Sequence, residues 1–225
     1  MAKFSKSGGT LFTQISSGIY KGKRLALPAL SSTRSTKSIV KGSFFDTWRV
    51  ELRGAAFIEC FGGSGAMALE ALSNGAKNVY AIEKDAAAHK IMRKNFELFE
   101  LGANAILGDC FERLPEILHD LQANMNGCSA ANSSESHTVN SKENSVIDLA
   151  RRVFVYLDPP FTIRQGFGGI YERVLALIAR LGSVQCELLI AIEHMSELEL
   201  PPKIGDFVLL KSRKFGATTM SYYAK

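Results

Sequence analysis

The chain has 225 residues, 46% of them apolar and 22% charged, an ordinary balance for one globular domain large enough to bury a core. That composition excludes collagen-like, disulfide-scaffold and wholly disordered chains, and no apolar run approaches the roughly 18 residues that a membrane-spanning helix needs. The net charge of +5 is uneven: residues 1–53 carry +8 and the remainder −3, so the basicity belongs to an N-terminal arm suited to meeting a polyanion.

Along the arm, residues 11–27 alternate loosely around Gly18 and Lys21-Gly22, which predicts a short hairpin ending at Pro28. Ile39, Val40, Phe44, Phe45 and Trp48 then predict a short amphipathic helix over 37–49, with Trp48 anchoring the arm to the body. From residue 55, apolar runs at 55–61, 79–83, 103–107, 153–157 and 187–192 read as buried strands of a parallel sheet. Helical patterns alternate with them. Leu69 and Leu72 line the first, closed by Asn74-Gly75; Ala88, Ile91, Asn95 and Leu98 line the second, after the cap Asp85. Tyr171, Val174, Leu175, Ile178 and Leu181 line a later one, stopped by Gly182. Residues 207–212 and 218–223 predict two terminal strands joined by a hairpin.

This order predicts an α/β, Rossmann-like doubly wound sheet over residues 54–225, preceded by a basic extension of hairpin and helix over 1–53. The Asn-, Ser- and Glu-rich stretch 122–145 has little to bury and is expected to be a disordered surface insertion. The first thirty residues scatter Lys, Ser and Gly where a signal peptide would be apolar, so a cytoplasmic protein is expected. Cys60, Cys110, Cys128 and Cys186 lie far apart, and the four histidines have no mutual ligand spacing. Reduced thiols and no metal follow.

The chemistry is expected at the carboxyl ends of the strands. Glu59, Cys60, Phe61, Gly62, Gly63, Ser64 and Gly65 end the first strand and open the first helix, where glycines let the backbone turn sharply and approach a ligand. Glu83 ends the next strand, where a carboxylate can accept from both hydroxyls of a ribose, with Lys84 beside it. Asp109, followed by Cys110, ends the third and offers an acceptor to an adenine amino group. A nucleoside-containing cofactor is implied. The third glycine of a dinucleotide fingerprint is Ala68, a substitution that still leaves NAD open. Glu59 would oppose a pyrophosphate but suits the cationic methionine moiety of S-adenosylmethionine.

At the end of the fourth strand stand Asp158, Pro159, Pro160 and Phe161. Asp158 and Pro159 each precede a proline and are held extended, which fixes the loop before any substrate arrives. An Asp158 carboxylate and Pro159 carbonyl that accept the hydrogens of an aromatic amine would stabilise charge developing on its nitrogen. Phe161 would stack on the base, a contact worth about 1–3 kcal/mol in single-strand binders.

Several runs together resemble the bacterial RsmD family. They are Gly18-Ile19-Tyr20-Lys21-Gly22-Lys23-Arg24-Leu25, Pro28, Thr33-Arg34-Ser35-Thr36, Val40-Lys41-Gly42-Ser43-Phe44-Phe45, Glu59 through Gly65, Leu69-Glu70-Ala71-Leu72-Ser73, Ile82-Glu83-Lys84-Asp85, Asp158 through Phe161 and Lys214-Phe215-Gly216. The likeness spans nearly the whole chain in order. It implies a class I methyltransferase fold, S-adenosylmethionine as donor with S-adenosylhomocysteine as product, and the N2 of one guanine of 16S rRNA as acceptor. The RNA would lie within the small ribosomal subunit or an assembly intermediate, met by a monomer with no membrane partner. The resemblance places Glu59 and Gly63 through Gly65 on the methionine end, Glu83 on the ribose, Asp109 on the adenine side, and Asp158, Pro159 and Phe161 on the guanine. Tyr20, Lys21, Lys23, Arg24, Arg34 and Lys41 would meet RNA phosphates. Ser35, Gly42, Gly62 and Glu59 depart from the proline, Arg-Glu, alanine and aspartate usual there.

Two other readings compete. An Asp-Pro-Pro-aromatic loop also serves DNA adenine-N6 and cytosine-N4 methyltransferases, although no stretch here is long enough for a separate target-recognition domain. A non-catalytic RNA-binding assembly factor could keep the same fold.

Overall fold

The computed structural model describes residues 11–28, 34–131, 152–160 and 169–225. An antiparallel hairpin, β1 (Leu11–Gln14) and β2 (Arg24–Leu27), leads into α1 (Arg34–Trp48). Then come β3 (Ala56–Cys60), α2 (Ala66–Ser73), β4 (Asn78–Glu83), α3 (Ala86–Glu97), β5 (Ala105–Leu107), α4 (Cys110–Ala131), β6 (Arg152–Leu157) and α5 (Ile170–Arg180). The chain closes with β7 (Glu187–Met195), β8 (Lys203–Ile204), β9 (Phe207–Phe215) and β10 (Thr218–Ala224).

Eight strands form one sheet in the order β5-β4-β3-β6-β7-β10-β9-β8. The first five are parallel, and the last three join antiparallel. The chain direction across the sheet reverses between β3 and β6, which opens a crevice beyond their carboxyl ends. All five residues of β3 are buried, as expected of a strand covered on both faces.

Alternation along the strands sorts the core into two layers. Phe57, Phe154 and Tyr156 face α1, α2 and α3; Ile58, Cys60, Val155 and Leu157 face α4 and α5. The basic arm is part of the first layer. Ile15, Leu25, Val40, Phe44 and Phe45 are buried there, and the Phe44 ring meets Phe57, Phe154, Tyr156 and Tyr222 with centroids 5.7–6.3 Å apart. Trp48 contacts Phe154 and Tyr222, the anchoring its position implies.

Asp85 caps α3 as expected, its side chain accepting from the Ala88 N–H at 2.8 Å. The stretch 122–145 differs from expectation. Its first ten residues continue α4 to Ala131 and are helical, while 132–145 lie outside the described residues. The reason is local: Leu114, Ile117, Leu118 and Leu121 bind the first turns of α4 to the sheet, and adding one hydrogen bond per residue lets a helix already anchored there run on. Among the described residues, no helix is long and apolar enough to cross a membrane.

Candidate active site

A cavity of about 900 Å³ lies over the β3–β6 crevice, roofed by the hairpin and α1. Glu59, Phe61, Gly62, Gly63, Ser64, Arg24, Lys41 and Asp158 all line it, so residues from 24 to 158 expected to act together converge. Its volume suits a cofactor-sized ligand.

The glycine turn is built by local constraint. Phe61, Gly63 and Gly65 have φ of 60°, 54° and 73°, so three left-handed residues turn β3 sharply into α2. A Cβ on Gly65 would come 2.4 Å from the Phe96 ring, so this glycine lets α3 close on the turn. At Gly63 a Cβ would meet nothing within 4 Å, because that residue faces open space. Phe61 packs edge-on against Phe111.

Glu83 fixes the same turn. Its carboxylate accepts from Gly63 N–H and Asp85 N–H, each at 2.7 Å, and so ties the loop after β3 to the start of α3. A carboxylate has further lone-pair positions with which to accept from a ligand. Glu59 is buried and accepts from the Ala68 N–H at 2.8 Å, in the first turn of α2. Asn95 donates to the Ser64 carbonyl at 2.8 Å and secures the loop from α3.

Glu83, Lys84, Asp109, Cys110, Pro159 and Pro160 do not line this cavity, and Phe161 lies outside the described residues. Lys84 pairs with Asp109 at 3.0 Å, and Arg173 approaches the same oxygen at 3.7 Å. Burial raises the Asp109 pKa, but Lys84 and the Phe111 N–H together hold it below its ordinary value. The neighbouring Cys110 thiol, together with burial, pushes the Cys60 pKa up. Both are inert, buried thiols.

Among the described side chains, the residues expected to meet phosphates do not form one cluster. Lys41 differs most: its Nζ pairs with buried Glu70 at 2.6 Å and donates to the Gln14 carbonyl at 3.1 Å, so its charge is spent inside the protein. Lys23 donates to the Leu98 carbonyl at 2.9 Å and lies 4.2 Å from the Phe99 ring centroid, and the Tyr20 ring meets Phe99 edge-on. These two clasp the hairpin to the end of α3. Arg24 lies over Phe12 at the cavity rim, and Lys21 is exposed at the hairpin turn. The Arg34 side chain lies outside the described residues.

Tyr156 and Glu193 also line the cavity, and neither was expected there from the sequence. Tyr156 donates to Glu193 at 2.7 Å, and both are buried. Burial raises the phenol pKa, with Glu193, Asp158 and Glu59 adding to the rise, so the group stays a donor. The available signal was register: Glu59 pairs with Tyr156 across β3–β6, and Leu157 with Ile192 across β6–β7, one step before Asp158 and Glu193.

Three carboxyl side chains, Glu59, Asp158 and Glu193, thus share the cavity with the apolar Phe61 and Met67. These three acceptors fit a ligand combining a cation with an apolar body, and a pyrophosphate placed beside them would meet like charge. The residues present therefore fit S-adenosylmethionine better than a dinucleotide.

Residues 13–117 and 108–224 match the family described as Conserved hypothetical protein 95. YlbH of Bacillus subtilis is 26% identical over 212 residues, 94% of this chain and 98% of its own. The Ribosomal RNA small subunit methyltransferase D of Escherichia coli strain K12 is 25% identical over 213 residues, 94% of this chain and 89% of its own. Among solved structures, yhhF of Escherichia coli superposes with a TM-score of 0.66 at 22% identity, covering 95% of this chain and 98% of that one.

Proposed function

The chain belongs to the Conserved hypothetical protein 95 family and is RsmD-like, and from that premise we propose that it transfers a methyl group from S-adenosylmethionine to the exocyclic N2 of a guanine in small-subunit (16S) ribosomal RNA. The observation that carries this reading is the convergence of Asp158 with the glycine turn and Glu59 on one cavity. The name of the Escherichia coli relative supports ribosomal RNA as the acceptor.

In this reading Glu59 and the turn from Gly63 to Gly65 hold the methionine end, Glu83 the ribose, and Asp109, fixed by Lys84, the adenine side. When bound, the cofactor supplies an electrophilic methyl carbon whose bond to sulfur breaks to leave neutral S-adenosylhomocysteine. The Asp158 carboxylate and the Pro159 carbonyl accept the two hydrogens of the guanine amine, turning its nitrogen toward the donor. As the N2 lone pair forms the new N–C bond, nitrogen becomes cationic, and the adjacent carboxylates stabilise that charge more than they stabilise the neutral amine. The extra proton leaves to water after the transfer. No strong base is needed beforehand, because the amine becomes acidic only once it carries charge.

Guanine N2 must be presented unpaired or turned out of its stack, which calls for contacts to the flanking backbone. Lys21 and Arg24 at the hairpin suit that task, with the substrate approaching over the roof of the cavity. The partner is ribosomal RNA in the small subunit or its precursor, and the working place is the cytoplasm.

The test is incubation of the protein with methyl-labelled S-adenosylmethionine and, in parallel, small subunits lacking the modification, free 16S rRNA and DNA. Label is expected in ribosomal RNA, in one or both of its forms. Label entering DNA alone would replace this reading with a DNA amino methyltransferase, and absence of label with RNA binding intact would favour an assembly factor.

A further inference from the structure

We propose that Glu193 is the residue that selects guanine: its carboxylate, oriented by Tyr156, accepts the N1–H of the base whose N2 amine Asp158 holds. The inference rests on the reading above.

Asp158 directly follows the last residue of β6, and Glu193 stands at the matching position of the adjacent parallel strand β7. Leu157 of β6 pairs with Ile192 of β7, and the residue that follows each of them is a carboxylate, near the carboxyl ends of the strands and, by alternation, toward the same sheet face. Both line the cavity. Glu193 is only 4% exposed and is part of the wall of this cavity. The buried Tyr156 hydroxyl donates to its Oε2 at 2.7 Å, fixing the carboxylate plane. A second acid in this position has no part in gripping an amine, for which Asp158 and a backbone carbonyl suffice.

The chemistry of bases gives it one. On its Watson–Crick edge guanine shows two adjacent donors, N1–H and the N2 amine. Adenine and cytosine show an amine beside a ring nitrogen that accepts. Two neighbouring carboxylates therefore match guanine with two charge-assisted hydrogen bonds. With adenine or cytosine, a ring lone pair would face the Glu193 carboxylate, leaving buried acceptors unpaired and opposed. A pocket that offers an acceptor to every amine becomes a guanine pocket through this one side chain.

The test replaces the guanine that the wild-type protein labels with 2-aminopurine, by splinted ligation, in whichever form of RNA supports labelling. This base keeps the N2 amine but carries an accepting N1. Wild-type protein should methylate it with kcat/KM at least about 100-fold below guanine, as expected for a site that loses a buried hydrogen bond. In Glu193→Gln the side-chain amide can donate to the accepting N1, and the ratio should fall to within about 10-fold. A loss of folding would not produce such a change, since it lowers both rates together. Equal rates on the two bases with wild-type protein would overturn the assignment without any variant, and so would an unchanged ratio in Glu193→Gln. Failure of wild-type protein to label any guanine would overturn the parent reading and this inference with it.

Discussion

Lys41 of α1 and Glu70 of α2 form an ion pair at 2.6 Å, in which Glu70 is fully buried and Lys41 only 12% exposed. The same carboxylate accepts from the backbone N–H groups of Ser16 and Ser17 at 2.8–3.0 Å, so one side chain joins the hairpin, α1 and the helix that follows the glycine turn. The roof of the cavity is fastened to its floor at this point.

Glu70→Gln should therefore destabilise the protein by about 3 kcal/mol or more, since it leaves a nearly buried ammonium without its partner. For a chain of this length that lowers Tm by roughly 6–12 °C in calorimetry. Burial raises the Glu70 pKa, but Lys41 and Ser16 bring its net value below the ordinary 4.5. A depressed folded pKa contributes stability that is complete above the unfolded value and lost as pH falls through the folded one. The Tm gap between wild type and Glu70→Gln should thus be full near neutrality and shrink below about pH 4.5.

Gly63 and Gly65 should respond differently to alanine. Both have positive φ, which costs a residue with a side chain about 1–2 kcal/mol. Gly65→Ala adds a clash with Phe96 and should lose about 1–3 kcal/mol more. Gly63→Ala places its methyl in open space beside the cavity and should spare most of the stability while weakening S-adenosylhomocysteine binding. Thermal melts and titration calorimetry on the two variants separate the effects.

Glu83→Gln should weaken cofactor binding by about 10-fold or more. The amide keeps one acceptor where the carboxylate has two, so either Gly63 N–H or Asp85 N–H loses its partner and the turn loosens. Titration calorimetry with S-adenosylhomocysteine reads this directly, and an unchanged affinity would remove Glu83 from the cofactor site.

The strands, the helices that follow them and the glycine turn were legible because their signals are local: apolar runs for β3 and β6, left-handed glycines at Gly63 and Gly65, and an Asp85 cap one turn from the Ala88 N–H whose hydrogen it accepts. Glu59, Gly63 and Asp158 were legible as neighbours around one cavity because each sits at or just beyond a strand end, where this kind of sheet opens its crevice. Lys41 and Glu70 were not legible as partners, because 29 residues separate them and a lysine in a basic arm reads as a surface charge. Tyr156 and Glu193 were hidden among the apolar residues of two buried strands, and only the β6–β7 register brings them together. The helical start of the 122–145 stretch was missed because composition describes what a segment buries and not whether its backbone can continue a helix already anchored by Leu114 and Leu118.

RNA affinity should divide the arm's bases in two. Alanine at Lys21 or Arg24 should weaken binding and reduce the slope of log affinity against log salt by about 0.7–1 per residue, the signature of a lost phosphate contact. Lys41→Ala should show its main effect in thermal stability, because its charge is already paired. Filter binding across a salt series distinguishes the two behaviours.

The central claim is that Asp158 holds a guanine amine against the methyl donor, and it is tested most directly by single-turnover transfer with Asp158→Asn, using mass spectrometry of the nucleosides released from small-subunit RNA. Wild-type protein should produce N2-methylguanosine, and the variant should lose at least about 100-fold in rate while keeping its affinity for RNA and for S-adenosylhomocysteine. Transfer by the variant at the wild-type rate, or a methyl group found on any atom other than a guanine N2, would contradict the account.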